Sequence, residues 1–367
     1  MKKISSAIFI AAFLVFINCK NNAGSPSEEG DKKDAANAFY QSIIRLGNGF
    51  IDVFNAFSGL VADTFFKASP KKSDVKIYFE SISKTLTDTK TKLSGLNNGK
   101  EDGAAAGDEG GKEESVKGVV DEMSAWLEEM IKAAGEAAKG GTGGGNESIG
   151  DAADDGQGKE ADEGSVNGIA KGIKGIVDAA GKAEGKEGNA LKGVGDGGAG
   201  NEEAGKLFGT QGGGADVAAV AKAAAAVSAV SGEQILKAIV DAAGGEDQVG
   251  AKADKAANPI AAAIGTAQDN GTAFNAGMQK NDKIAAAIVL RGLAKDGKFA
   301  ASNNEGGKKE SVKGVVESAV QKTFTALNSV VKKAVEAGLK KVADAVKKEG
   351  DKGPEVPVAA GAGPARK

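Results

Sequence analysis

The chain has 367 residues, a formal net charge of −3 and 55 glycines, and aromatic residues make up only 5% of it. It contains no histidine, which removes Ser-His-Asp and Cys-His nucleophile systems, histidine-ligated metals and the commonest general base. The nearly balanced charge gives no general attraction to nucleic acid. We therefore expect neither an enzyme nor a protein that binds a cofactor, a metal or nucleic acid.

The first 19 residues have the features of a bacterial lipoprotein leader. Two lysines precede an apolar run over 4–17, which is too short to span a bilayer and is typical of a secretory signal. Cys19 follows at once and is the only cysteine, so the chain cannot form an internal disulfide. The pattern predicts a signal peptide over 1–18 and lipid attachment (S-diacylglycerol and N-palmitoyl) at Cys19. The alternative is an ordinary signal peptide followed by an accidental cysteine.

Two segments have compositions that cannot bury apolar surface. Residues 19–35 mix glycine, serine, asparagine and charged residues, and we expect them to form a flexible tether above the membrane. Residues 349–367 are rich in proline and glycine and are expected to be a disordered tail.

Apolar residues recur every three or four positions from Phe39 to Phe65, which predicts an amphipathic helix that ends before Pro70. A second helix is expected to begin at a Ser73 cap and to end at the Asn-Asn-Gly sequence of 97–99. Residues 99–111 are acidic and rich in glycine and alanine, which indicates a loop.

A third helix is predicted to follow residue 111, with Trp126 in its apolar stripe. A tryptophan in such a stripe favours a core position over a ligand platform. Periodicity is lost over 139–164, which we expect to be a loop. The scattered acids there lack the spacing of a calcium loop and indicate a solvated segment.

A fourth helix is predicted from 165 to about 180, and it carries a second stripe made of glycine. Because each glycine costs about 1 kcal/mol relative to alanine in a helix, a close helix contact or a homodimer seam would explain the stripe. In a chain so rich in glycine we favour a solvent-facing stripe. The stripe consists of Gly168, Gly172 and Gly175.

The middle of the chain alternates unpatterned stretches with short helices. Residues 183–215 are glycine-rich and lack a pattern apart from Leu207-Phe208, and an alanine-rich helix is expected over 217–230. Ser231 and Gln234 have capping-box spacing before the next helix.

Two more helices are predicted before the last one. Asn258-Pro259 supplies a cap and a first-turn proline, and Gly265 can end that helix. Residues 284–293 are apolar nearly all round, so we expect this helix to be buried at the centre of the fold.

The last helix is predicted over 311–348 and would be about 55 Å long at about 1.5 Å per residue. Such a length favours an elongated molecule. Lysine pairs recur along it, and their simplest interpretation is the solvent-exposed face of the helix. The alternative is that they bind a host polyanion. These lysines are Lys332, Lys333, Lys340, Lys341, Lys347 and Lys348.

One repeat divides the chain. Residues 114–120 and 310–316 are identical (ESVKGVV), and they bracket the glycine-rich middle. Two copies do not build a solenoid, which needs several at a regular period. We therefore expect the following organisation: signal peptide 1–18, lipidated tether 19–35, constant N-terminal helical part 36–110, cassette-like centre 111–310, C-terminal helix 311–348 packed on the N-terminal helices, and tail 349–367.

Many separated blocks give the chain a strong resemblance to the variable large protein (Vmp-like) family of surface lipoproteins in Lyme Borrelia. In the leader they are Met1–Ile8 and Phe16–Lys20, and in the most specific stretch they are Ile284–Ile288, Leu290–Gly292 and Ala294–Ala300. The blocks between them are Phe39–Ser42, Leu46–Phe50, Lys71–Lys76, Gly168–Lys174 and Ala229–Leu236. The resemblance implies an all-α, elongated helical bundle with long glycine-rich surface loops, anchored in the outer membrane.

In that family a central cassette between short repeats is replaced by gene conversion, which implies antigenic variation and evasion of host antibodies. The paired blocks here stand where those repeats would be, although their wording departs from the family's. We expect variation to concentrate in 139–164, 183–215, 244–257 and 265–277, because loops tolerate substitution. We expect antibodies to reach 284–293 poorly on intact cells. The alternative function is an adhesin that binds host glycosaminoglycan through the lysine pairs.

Overall fold

The structure is a computed structural model that describes residues 55–57, 59–97, 116–185, 189–302 and 308–351. The predictions for the leader, Cys19, the tether, the first half of the N-terminal helix, the 99–111 loop and the tail after 351 lie outside these residues. Residues 55–57 and 59–65 are helical. The α-helices that follow are α1 (Ser73–Asn97), α2 (Val116–Gly140), α3 (Glu163–Ala183), α4 (Val217–Ser228), α5 (Gly232–Ala242), α6 (Pro259–Ile264), α7 (Asn281–Leu293) and α8 (Lys308–Asp351).

The mainly helical fold is confirmed, and several helix ends form as the sequence predicts. Ser231 and Gln234 make the reciprocal bonds of a capping box at the start of α5. The Asn258 side chain accepts the backbone N–H groups of Ile260 and Ala261, and the proline that follows opens α6. Gly265 ends α6 with a φ of 70°, a conformation that favours glycine.

An aromatic cluster joins the N-terminal helices to α8. The ring centroids of Phe65 and Phe324 are 4.5 Å apart, and Tyr78 meets Phe324 edge-on at 4.7 Å. Asn328 also donates to the carbonyl oxygen of Phe57 at 2.8 Å. Tyr78 is fully buried, and burial raises the pKa of its hydroxyl above the usual value.

The glycine stripe of α3 faces α2, so the expectation that it faces solvent was wrong. A Cβ built on Gly172 would lie 2.3 Å from the Cβ of Ala137, and one on Gly175 would lie 2.7 Å from the Cβ of Ala133. A Cβ on Gly168 would lie 3.1 Å from the Cα of Gly140. The glycines therefore allow two helix backbones to approach within one molecule, which was the alternative interpretation.

Trp126 is 4% exposed, as expected for a core position. It lies against α8, where a Cβ on Gly338 would be 2.6 Å from its ring. Helix α8 has 44 residues, longer than predicted, and at about 1.5 Å per residue it extends about 66 Å. It contacts α2, α3, α4, α5 and α7 along its length.

Two short strands, β1 (Ala152–Ala153) and β2 (Phe299–Ala300), pair in parallel. They join the 139–164 segment to the turn after α7, and Lys159 and Lys298 exchange backbone hydrogen bonds beside them. This pairing has no signal in the sequence, because each strand is only two residues long. It gives the segment a fixed path at its base.

Candidate functional site

Helix α7 is the centre of the candidate functional region. Every residue from Ile284 to Leu293 is 1% exposed or less, apart from Gly292, which is also buried. The prediction of a central buried helix is confirmed. The helix has no solvent face because its apolar residues point in all directions and neighbouring segments cover each of them.

Arg291 is the one arginine of α7, and it is fully buried. Its guanidinium donates to three main-chain carbonyls: from Nε to Ala263 at 3.0 Å, from Nη1 to Phe208 at 2.9 Å and from Nη2 to Ile264 at 3.3 Å. It also lies 5.0 Å from the centroid of the Phe208 ring. Burial lowers the pKa of Arg291 to about 10, so the side chain is still charged at neutral pH.

Asp269 is a buried acid that, like Arg291, bonds to main-chain groups, and it is 1% exposed. Its Oδ2 accepts the N–H of Ala253 at 2.7 Å and its Oδ1 accepts the N–H of Gly271 at 2.9 Å. Its own carbonyl accepts the N–H groups of Thr210 and Gln211. Asp269 thus connects three loop segments through their main chain.

We define the loop surface as residues 142–160, 192–203, 244–257 and 266–277. Most of its side chains are exposed or half-buried, as expected for these loops. Parts of it contact one another, since the Asn275 side chain donates to the carbonyl of Asp254 at 2.9 Å. Two of its segments rest on α7: Asn281 donates its N–H to the Gly198 carbonyl, and Lys283 donates to the Gly277 carbonyl at 2.8 Å.

One part of the predicted loops, residues 204–210, does not belong to this surface. Within 183–215, residues Glu202–Phe208 form a 3-10 helix, and Leu207 and Phe208 are buried. Phe208 packs 5.5 Å from Phe299, ring centroid to centroid. Leu207 and Phe208 were the two residues set apart from the unpatterned 183–215 stretch, and the burial extends beyond them to 204–210, so the prediction of a variable loop was wrong for that part.

The acids of the 139–164 segment form ion pairs at the surface. Asp151 is 3.1 Å from Lys298, and Asp154 is 2.7 Å from Lys309. Within the described residues, no group of three or more acidic or cysteine side chains could hold a metal ion. These acids are a solvated, ion-paired rim of the loop surface.

The lysine pairs of α8 lie beside acidic residues of other helices. Lys341 is 3.2 Å from Glu122 of α2, and Lys333 is 3.9 Å from Glu233 of α5. The exposed side chain of Asp344 lies between the last two pairs in sequence. A contact with a host polyanion stays a prediction, and these neighbours reduce the positive potential it would need.

Over the described ranges, no single helix is both long and apolar enough to cross a bilayer. The pair Val217–Ser228 and Gly232–Ala242 passes that test of composition together, with a bend of 98° between them.

Arg291, Asp269 and Lys72 were not singled out from the sequence. A charge inside the apolar run of 284–293 was the available signal for Arg291. Lys72 has no exposed surface, and its Nζ donates to the Gly297 carbonyl at 2.6 Å and to Glu147 at 3.0 Å. Burial lowers the pKa of Lys72, and the Glu147 carboxylate partly offsets that shift.

Comparison with known proteins matches the profile described as Borrelia lipoprotein to residues 50–346. The crystal structure of the Lyme disease variable surface antigen VlsE of Borrelia burgdorferi is similar, with a TM-score of 0.69 and 46% sequence identity, covering 84% of this chain and 99% of that one. Variable large protein 17 of Borrelia hermsii is 35% identical over 89% of this chain and 87% of its own length. Variable large protein 4 of the same organism is also 35% identical, over 94% of this chain and 93% of its own.

Proposed function

The chain belongs to the Borrelia lipoprotein family, and from this premise we propose that it is an outer-surface antigen that evades host antibodies by varying its loops. It is a relative of variable surface lipoproteins, so its role is display and not catalysis. Acylated Cys19 anchors it in lipid of the outer membrane, and host antibodies are its partners at the loop surface.

The observation that carries this proposal is the contrast between the loop surface and α7. Exposed loop side chains make few buried contacts, so their substitution changes an epitope at little cost in stability. The buried residues of α7 support those loops, and almost any change there creates a cavity or a clash. The residues that can vary are therefore those of the loop surface, and the residues that must stay the same are those of α7.

Sequencing of clones recovered from one infected host over time tests the proposal. We expect substitutions to concentrate at exposed positions of the loop surface and to avoid the buried positions of α1, α2, α7 and α8. Substitutions distributed evenly between exposed and buried positions would contradict it.

The anchor is tested by metabolic labelling with a radioactive fatty acid. We expect label on the parent chain and none on Cys19→Ser. Protease treatment of intact cells should then remove the parent protein, since the tether and loops face outwards. Label on the Cys19→Ser chain, or full protection from protease, would contradict the anchoring proposal.

A further inference from the structure

Two buried charges of opposite sign lie beneath the loop surface, and both bind main chain instead of side chains. Arg291 donates to the carbonyls of residues 208, 263 and 264, and Asp269 accepts the N–H groups of residues 253 and 271. In the described part of the chain, neither charge lies within salt-bridge distance of an opposite one. Main-chain groups supply all the hydrogen bonds to each of them, and Asp269 and Glu160 act on Arg291 only through longer-range Coulombic attraction, which raises its pKa against the effect of burial.

These contacts do not depend on which side chains the loops carry. Every residue has a carbonyl oxygen, and every residue except proline has an N–H. A substitution in a loop therefore keeps the partner atom as long as the backbone path is kept. A side-chain salt bridge would be lost as soon as recombination changed either partner.

Arginine suits this position better than lysine because its planar guanidinium directs several donors at fixed angles. Those donors reach two segments, Phe208 at the end of the 3-10 helix and the last residues of α6. The ring of Phe208 also packs on the guanidinium, which fixes the orientation of the fork. A lysine ammonium donates from a single nitrogen and would not reproduce the three fixed donor directions of the guanidinium.

We propose that Arg291 and Asp269 are positioning residues that fix the paths of the surrounding loops through main-chain hydrogen bonds, so that the loops can change their side chains on a constant framework. The inference rests on the proposed function, since a surface whose side chains vary requires loop paths that do not depend on those side chains.

The proposal also restricts variation inside the 265–277 loop. Gly265 and Gly271 have φ angles of 70° and 67°, which favour glycine. A Cβ on Gly265 would lie 2.3 Å from Nη2 of Arg291, and one on Gly271 would lie 2.2 Å from the carbonyl oxygen of Gly213. Gly265, Asp269 and Gly271 are therefore fixed positions of this loop, together with Phe274, which is 4% exposed and packs against the Phe208 ring.

The test compares amide hydrogen exchange in three variants of the whole mature chain. Arg291→Met removes the donors and keeps an apolar stem, and Arg291→Lys keeps the charge with one donor nitrogen. The matched control carries Gln211→Lys, Gln268→Lys and Asn270→Ala, which change exposed side chains in the same segments. The readout is the exchange of the Thr210, Gln211, Ala253 and Gly271 amides, with α1 and α2 as an internal reference.

We expect Arg291→Met to exchange at these four amides at least about tenfold faster than the parent, with α1 and α2 unchanged. The reason is that the Phe208, Ala263 and Ile264 carbonyls lose their donors, which loosens the neighbouring segments whose amides bond to Asp269. Arg291→Lys should exchange at a rate between those of the parent and Arg291→Met. The rates of the control should stay within about twofold of the parent. Equal rates in the parent and both Arg291 variants would overturn the proposal, and so would a control as fast as Arg291→Met.

If Arg291→Met does not fold, the Arg291→Lys and control chains still decide the question by the same amides. These rates do not depend on antibodies or on recombination, so they can fail while the proposed function stands. Conversely, clones that vary at buried positions would sink the proposed function and leave the exchange result intact.

Discussion

Gly172 and Ala137 lie in contact across the α2–α3 interface, where a Cβ on the glycine would be 2.3 Å from the Cβ of the alanine. That distance is far below a carbon–carbon contact, so the interface accepts only a hydrogen at position 172. Gly135, by contrast, has open space on its own side of α2. Substitution of Gly172 therefore tests the packing role of glycine, and substitution of Gly135 tests only its poor helix propensity.

We expect Gly172→Ala to destabilise the protein by about 1–3 kcal/mol, because overpacking forces the two helices apart. Gly135→Ala should instead stabilise it by about 0.5–1 kcal/mol through helix propensity alone. Urea unfolding followed by circular dichroism measures both. If Gly172→Ala stabilised the protein as much as Gly135→Ala, the close interface would be wrong.

Lys72→Met is expected to destabilise the protein by about 1–3 kcal/mol, because it leaves the buried Gly297 carbonyl without its donor. The methionine fills a similar volume, so the loss reports the hydrogen bonds and not a cavity. The control is Lys76→Met on the exposed face of α1, whose i,i+4 pair with Glu80 should be worth less than about 0.5 kcal/mol. Chemical unfolding of both variants checks the difference, and equal midpoints would contradict it.

Asp196 gives a pH-dependent prediction. Hydrogen bonds from Lys280 and then Lys237 lower the pKa of this carboxyl to about 2, from 3.8. Because the pKa is lower in the folded state, the stabilisation is complete above pH 3.8 and is lost as the pH falls towards 2. The difference in Tm between the parent and Asp196→Asn should therefore shrink across that interval.

The control is Gln268→Ala, which changes an exposed side chain that carries no charge. We expect its difference in Tm from the parent to stay the same at every pH between 2 and 5. A Tm difference for Asp196→Asn that stayed constant down to pH 2 would show that its carboxyl does not titrate as stated. A direct NMR titration of the Asp196 carboxyl gives an independent check.

Antibodies raised against a peptide of 284–293 should label living cells weakly and label denatured protein strongly. The reason is that antibody contact needs exposed surface, and this helix has almost none. A serum against 266–277 is the matched control, since much of that loop is exposed. Equal labelling of living cells by both sera would show that α7 becomes accessible in the native protein.

The helices and some of their ends could be predicted from the sequence because those signals are local, whereas α3 begins at Glu163 with an Asp162 cap and not at residue 165. Ser231 and Gln234 are three residues apart, and Asn258, Pro259 and Gly265 bound one short helix. The burial of α7 followed from its apolar residues on every side. Each of these features depends on side chains close together in the chain.

The features that were missed depend on partners distant in the chain. Arg291 bonds to a carbonyl 83 residues earlier, and a carbonyl leaves no trace in the sequence because all residues have one. Strands β1 and β2 are two residues long, too short for an alternating pattern. The glycine stripe was visible, but only the position of α2 could decide what it faces.

In the part of the ESVKGVV block that the structure describes in both copies, 116–120 and 312–316, the first and last valines are buried. Val116 and Val120 are buried at the start of α2, and Val312 and Val316 are buried at the start of α8. The lysine after the first valine forms an i,i+4 ion pair in both, Lys117 with Asp121 and Lys313 with Glu317. If both crossovers fall inside these identical blocks, the exchanged segment continues each helix without changing which side of it faces the core. A recombinant gene therefore encodes helices whose apolar faces still point towards the core, whatever sequence lies between the two crossovers.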